Sequence, residues 1–183
     1  PENDGPEKRP AAGATMTETA DKDATGNRRS AARLVAVQAL YEMDMVNAEV
    51  DAVLEEFLQK RWRQGDDEGD GDGSDNGDNA SLTEPDQAWL NDLVHGVSAG
   101  REELDGLIGP ALSEDWTVDR LEALLRVILR AGTYELKIKK NIPAAVIISE
   151  YLDVAHAFFE GGETRMVNGV LDHLARDLRA KDG

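Results

Sequence analysis

The chain has 183 residues, 40% apolar and 31% charged, and its 37 Asp and Glu against 20 Lys and Arg leave a formal net charge of −17. It has no cysteine, which excludes disulfides and thiolate metal ligands, and its three histidines (His95, His156, His173) are too scattered for a metal-binding spacing. No apolar run approaches the roughly 18 residues of a membrane span, and the amino end lacks a signal-like apolar stretch, so the expected location is the cytoplasm.

Residues 1–27 are small and polar with no apolar periodicity, and such a segment is expected to be disordered. A first helix is predicted over about 30–45, where Leu34, Val37, Tyr41 and Met45 recur at spacings of three and four. A second, over about 48–63, carries Val50, Val53, Leu54, Phe57 and Leu58 on one side. The stretch that follows, with five glycines and no apolar side chain before Ala80, is expected to be an acidic, flexible loop over 65–86. Its acids do not fall in the register of a calcium-binding loop. Helix signals resume with Trp89, Leu90, Leu93, Val94 and Val97, capped by Thr83 or Asp86. Gly100 marks a break before a short piece holding Leu104, Leu107 and Ile108, and Gly109-Pro110 ends it. A longer helix fits 118–139. Pro143 suits the first turn of the next, over 143–159, and the last runs over 163–179. The expected fold is all-α, with about seven helices.

The negative charge is unevenly placed. The segment 65–86 holds nine acids and no base, and residues 1–27 add six acids against three bases, which leaves only −5 on the rest. A local basic face is therefore compatible with the composition. Arg28, Arg29 and Arg33 gather at the expected start of the first helix, where the helix dipole disfavours cations. Arginine is planar, permanently charged and donates in forks, which suits phosphates and base edges. Arg29 and Arg33, four apart, share a face. Gln38 can hydrogen-bond a base, and Tyr41 can stack on one or serve as a core aromatic with its hydroxyl at the rim. No nucleotide-cradling glycine motif or catalytic triad is recognisable, so no enzymatic activity, catalytic residue, metal or cofactor is expected. Glu55-Glu56 and Glu102-Glu103 are assigned to solvated helix faces.

Four blocks, "AVQALYEMD" (36–44), "ILRAGTYEL" (128–136), "IPAAVIISEYLDVAHAF" (142–158) and "MVNGVLD" (166–172), resemble, in that order, the NusB family of bacterial transcription antitermination factors. The resemblance spans most of residues 28–178. It implies two packed three-helix-type subdomains, divided here as 28–109 and 110–183. It also implies binding of the boxA sequence of nascent ribosomal RNA together with NusE, a small-subunit ribosomal protein. With NusA and NusG, that pair makes RNA polymerase resistant to termination. Carried onto this chain, the family's arginine-rich RNA region falls on Arg28, Arg29 and Arg33, next to Gln38 and Tyr41. Its second RNA-contacting loop reads "GGETRMVNG", with Arg165 for the usual Lys, Met166 for the common Phe and Gly162 where an acid is frequent. Arg130 is assigned either to the RNA surface or to an ion pair with Glu150 or Asp153. Homodimerisation is left open. Two other readings compete: the NusB-like module of a ribosomal RNA cytosine methyltransferase, and a protein-interaction module without RNA binding.

Overall fold

The computed structural model describes residues 14–66 and 83–180, with side chains over 21–60 and 83–180. The described residues form seven α-helices and a single 3-10 turn: α1 (Ala14–Val46), α2 (Val50–Asp66), α3 (Gln87–Ala99), α4 (Arg101–Ala111), the turn Val118–Arg120, α5 (Ala123–Ile138), α6 (Ala144–Phe158) and α7 (Gly162–Ala180). The fold is all-α, as expected. Residues 1–13 of the expected tail and 67–82 of the acidic loop lie outside the described residues.

The largest departure from expectation is in α1. Residues 14–27 are helical, and the helix starts sixteen residues before the position its apolar pattern indicates. Residues 32–43 bury Ala32, Val35, Ala36, Val37, Ala39, Leu40 and Met43, and a helix nucleated there propagates at little further cost. Residues 21–28 are exposed, so no tertiary burial announces this extension in the sequence. Arg28 consequently sits about four turns from the helix start, beyond the reach of the dipole that acts within the first turn. The helix ends at Asn47, whose φ of 51° is the left-handed conformation that asparagine tolerates at a helix C-terminus.

Asp86 caps α3 by accepting from the Trp89 backbone N–H at 3.0 Å, one of the two residues expected to do so. Gly100 separates α3 from α4. Pro110 lies inside the last turn of α4, so the expected subdomain boundary at 109–110 falls within a helix that packs on α5 and α7. α5 is the central element and touches α1, α3, α4, α6 and α7. Most of its length is buried, including Arg130, Thr133 and Glu135, and a single apolar cluster joins it to the other helices. Two glycines permit close approach. A Cβ on Gly96 would overlap the Tyr134 ring, and one on Gly132 would lie 2.9 Å from a Leu171 methyl.

Candidate nucleic-acid interface

The three arginines of α1 have three different environments. Arg28 is exposed, and its carbonyl accepts the Asp86 backbone N–H at 3.0 Å, which ties α1 to the start of α3. Arg29 is half-buried, with its guanidinium carbon 4.5 Å from the centre of the Trp89 ring. Arg33 is only 3% exposed. Its Nε donates to Glu135 Oε2 at 2.7 Å, Nη2 to Glu135 Oε1 at 3.1 Å, and Nη1 to Glu150 Oε2 at 3.1 Å. Burial works against the Arg33 charge, but the hydrogen bond and charge of Glu135 outweigh it and raise the pKa.

The expectation that Arg33 presents its fork to a ligand is therefore corrected: both edges of the guanidinium are consumed inside the protein. Arg29 and Arg33 do share a face, but at Arg33 that face points into the junction of α1, α5 and α6. Four residues earlier it has reached the rim. The same Glu135 accepts the Trp89 indole N–H at 3.1 Å, and Glu150 accepts the Ser30 hydroxyl at 2.6 Å. Tyr151, wholly buried nearby, has its pKa pushed well up by burial and then by the Glu135 charge.

Arg130 is the second buried cation, 7% exposed. Its Nε and Nη2 make a fork onto Asp105 at 2.7 and 2.6 Å, and Nη1 reaches Asp44 at 3.2 Å. Arg101 closes the network on the other oxygen of Asp44 at 2.7 Å. The ion-pair alternative thus describes its geometry, with different partners from the Glu150 or Asp153 expected. Arg130 is five residues before Glu135 on α5, so the two polar groups face different neighbours: α4 and the end of α1 for Arg130, the middle of α1 and the start of α3 for Glu135.

Gln38 and Tyr41 line a groove of about 530 Å³ with Glu42, Met45, Phe57, Glu122, Leu124 and Phe158. Tyr41 is 37% exposed, so it is a rim aromatic and not a core one. Because Ser30 meets Glu150 and Gln38 shares a groove with Phe158, α6 runs alongside α1 in the same direction. The seam between them extends from the arginines to this groove, about 15 Å from Arg28 to Gln38 at the helical rise. Arg165 and Met166 lie in the first turns of α7, inside the helix expected over 163–179, so the segment carried over as a loop is largely helical here. Arg165 is exposed, whereas Met166 is half-buried and packs on the core. Asn168 is exposed within α7, away from its start.

Comparison with known proteins decides the kinship of the chain. The family model described as "NusB family" matches residues 30–176. The chain belongs to the NusB family. It is 46% identical over 156 residues to the transcription antitermination protein NusB of Rhodopseudomonas palustris (strain BisB18), covering 85% of this chain and 86% of that protein. It is 43% identical over 157 residues to the protein of the same name from Rhizobium rhizogenes, covering 86% and 91%. The fold is similar to that of T. maritima NusB, with a TM-score of 0.63 at 24% identity over 84% of this chain and 94% of that one. It is also similar to a crystal structure of NusB and NusE in complex with double-stranded RNA, with a TM-score of 0.61 at 22% identity, covering 81% and 96%.

Sequence reasoning missed several groups at this surface of the NusB-family chain. Trp89 entered only as one residue of an apolar stripe, yet its ring also lies 4.5 Å from Lys139 Nζ and 5.5 Å from the Arg33 guanidinium carbon. Phe158, 38% exposed, shares the groove with Tyr41. No local pattern links Trp89 to Arg29, since α2 and the acidic stretch after it separate them along the chain. Among the described residues, no helix is long and apolar enough to cross a membrane, and no group of three His, Asp or Glu is placed to hold a metal.

Proposed function

We propose that this protein is a transcription antitermination factor that binds boxA RNA of nascent ribosomal transcripts together with NusE, and that it acts without catalysis. The observation that carries this reading is 46% identity to a transcription antitermination protein over 85% of the chain. A neighbour of the same fold is described in complex with NusE and RNA, which supports both kinds of partner. The same kinship supports a wider assembly with NusA, NusG and RNA polymerase and a cytoplasmic location.

The chemistry of the surface suggests a division of labour along the α1–α6 seam. Arg28 and Arg29 make no ion pair among the described residues, and with exposed Arg165 they are the cations best placed for phosphates. Arg33 and Arg130 hold the scaffold that carries them. The groove at Gln38 and Tyr41 has an apolar floor and two acids, Glu42 and Glu122, that repel a phosphate backbone. It suits the protein partner better than RNA, and Met166 is too enclosed to meet bases freely.

The test is a titration of labelled single-stranded boxA RNA with the full chain, with and without NusE, over a range of salt. Arg28→Ala with Arg29→Ala is expected to weaken binding and flatten its salt dependence, by about 0.7 in slope for each phosphate that is no longer neutralised. Tyr41→Ala with Phe158→Ala is expected to weaken NusE binding about tenfold or more while leaving the slope for RNA alone unchanged. RNA binding that ignores salt, or a wild-type chain that binds no boxA RNA, refutes the assignment.

A further inference from the structure

We propose that Trp89 is a positioning residue for RNA: its indole is a fixed platform that presents Arg29 to a phosphate of the bound strand. This rests on the RNA-binding reading above and adds to it a residue, and a mechanism, that the arginine cluster alone does not contain.

The platform is held at two points. Asp86 caps the Trp89 backbone N–H, and Glu135 accepts the indole N–H at 3.1 Å. Glu135 is itself fixed by the two-bond fork from Arg33, so the ring is anchored to the buried junction of α1 and α5. Three cations surround this one ring, Arg29 and Lys139 at 4.5 Å and Arg33 at 5.5 Å from its centre. A ring face attracts cations, while the cations repel one another unless acids offset them. Two are offset. Arg33 has Glu135 and Glu150, and Lys139 pairs with Asp92. Arg29 has no carboxylate among the described residues.

The exposure pattern of Arg29 supplies a direction. Its Nε is buried without a hydrogen-bond partner, which places the inner edge of the guanidinium against the protein. Its two terminal nitrogens make no hydrogen bond among the described residues and keep contact with solvent. The stack on Trp89 thus removes the flexibility of a long side chain and leaves an outward pair of N–H donors. Such a fork matches the oxygens of a phosphodiester. A partnerless, immobilised arginine beside two neutralised cations is what an external anion would complete.

Binding of labelled single-stranded boxA RNA to the full chain, measured across salt concentrations with circular dichroism to verify folding, tests the proposal. Arg29→Ala is expected to weaken binding about tenfold and to lower the salt slope by about 0.7. Trp89→Leu is expected to reproduce both effects, and the double variant to bind no more weakly than Arg29→Ala alone, because both abolish the same phosphate interaction. Trp89→Phe keeps an aromatic face and is expected to retain most of the affinity and the full slope. Arg28→Ala combined with Trp89→Leu is expected to be additive. Wild-type affinity in Trp89→Leu overturns the proposal and leaves the RNA reading standing. So does an affinity loss in Trp89→Leu that leaves the slope unchanged and adds to that of Arg29→Ala. A wild-type chain that shows no salt-dependent RNA binding overturns both.

Discussion

Replacing Arg33 by alanine separates a structural arginine from a ligand-binding one. The change deletes a 2.7 Å and a 3.1 Å hydrogen bond to Glu135 and a 3.1 Å bond to Glu150, and it leaves the fully buried Glu135 carboxylate without a cation beside it. Removing one partner of a buried pair costs about 3–5 kcal/mol, since the stranded charge keeps its desolvation penalty. The Trp89 indole N–H still reaches Glu135 and Glu150 is partly exposed, so the lower half of that range, about 3–4 kcal/mol, is the expected loss. For a chain of this size such a loss lowers Tm by roughly 6–16 °C. Arg33→Lys keeps the charge without the fork and is expected to lose less, about 1–3 kcal/mol. Urea denaturation followed by circular dichroism measures both. At temperatures where Arg33→Ala is folded, its RNA binding is expected to keep the wild-type salt slope, in contrast to Arg29→Ala. Stability within about 0.5 kcal/mol of wild type, together with a reduced slope, would refute the buried-pair reasoning and return Arg33 to the ligand surface.

Two further outcomes follow from the packing around α5. Gly96→Ala places a methyl in the space occupied by the Tyr134 ring and its hydroxyl, so the ring must swing out and release Asp92; a loss of about 1–3 kcal/mol in urea denaturation is expected, and no loss would show that α3 and α5 can separate freely. Alkaline pH is the second perturbation. Burial first, and Asp92 after it, push the Tyr134 pKa up to about 12, and burial with Glu135 pushes Tyr151 well up. Unfolded tyrosine, with its ordinary value of 10.0, loses its proton before the folded state does, so stability is complete below about pH 10 and declines as pH rises from there toward and beyond 12. Urea midpoints measured across that range are expected to fall, and to fall less steeply in Tyr134→Phe and Tyr151→Phe; identical slopes in all three proteins would contradict the assignment.

Local pattern alone settles the all-α class, the order of the helices and most of the core, because a 3.6-residue apolar period reports directly which face must leave water. Leu90, Leu93, Val94 and Val97 of α3 are buried as that period requires. Asp86 and Pro143 act at helix starts because capping is a local property of the backbone. Local patterns stop being informative where helices extend into solvent, which is why the first turns of α1 were not legible. They also say nothing about which charges meet. Arg28, Arg29 and Arg33 are one basic cluster on paper. Only the packing of α3, α5 and α6 against α1 turns Arg33 inward to Glu135 and Glu150, strands Arg29 on the indole of Trp89 and leaves Arg28 in water. Likewise Arg130 meets Asp44 and Asp105 from two other helices, partners that lie 86 and 25 residues away in the chain. Burial of a charge depends on the acids that distant segments bring to it, and that is fixed by the tertiary fold alone.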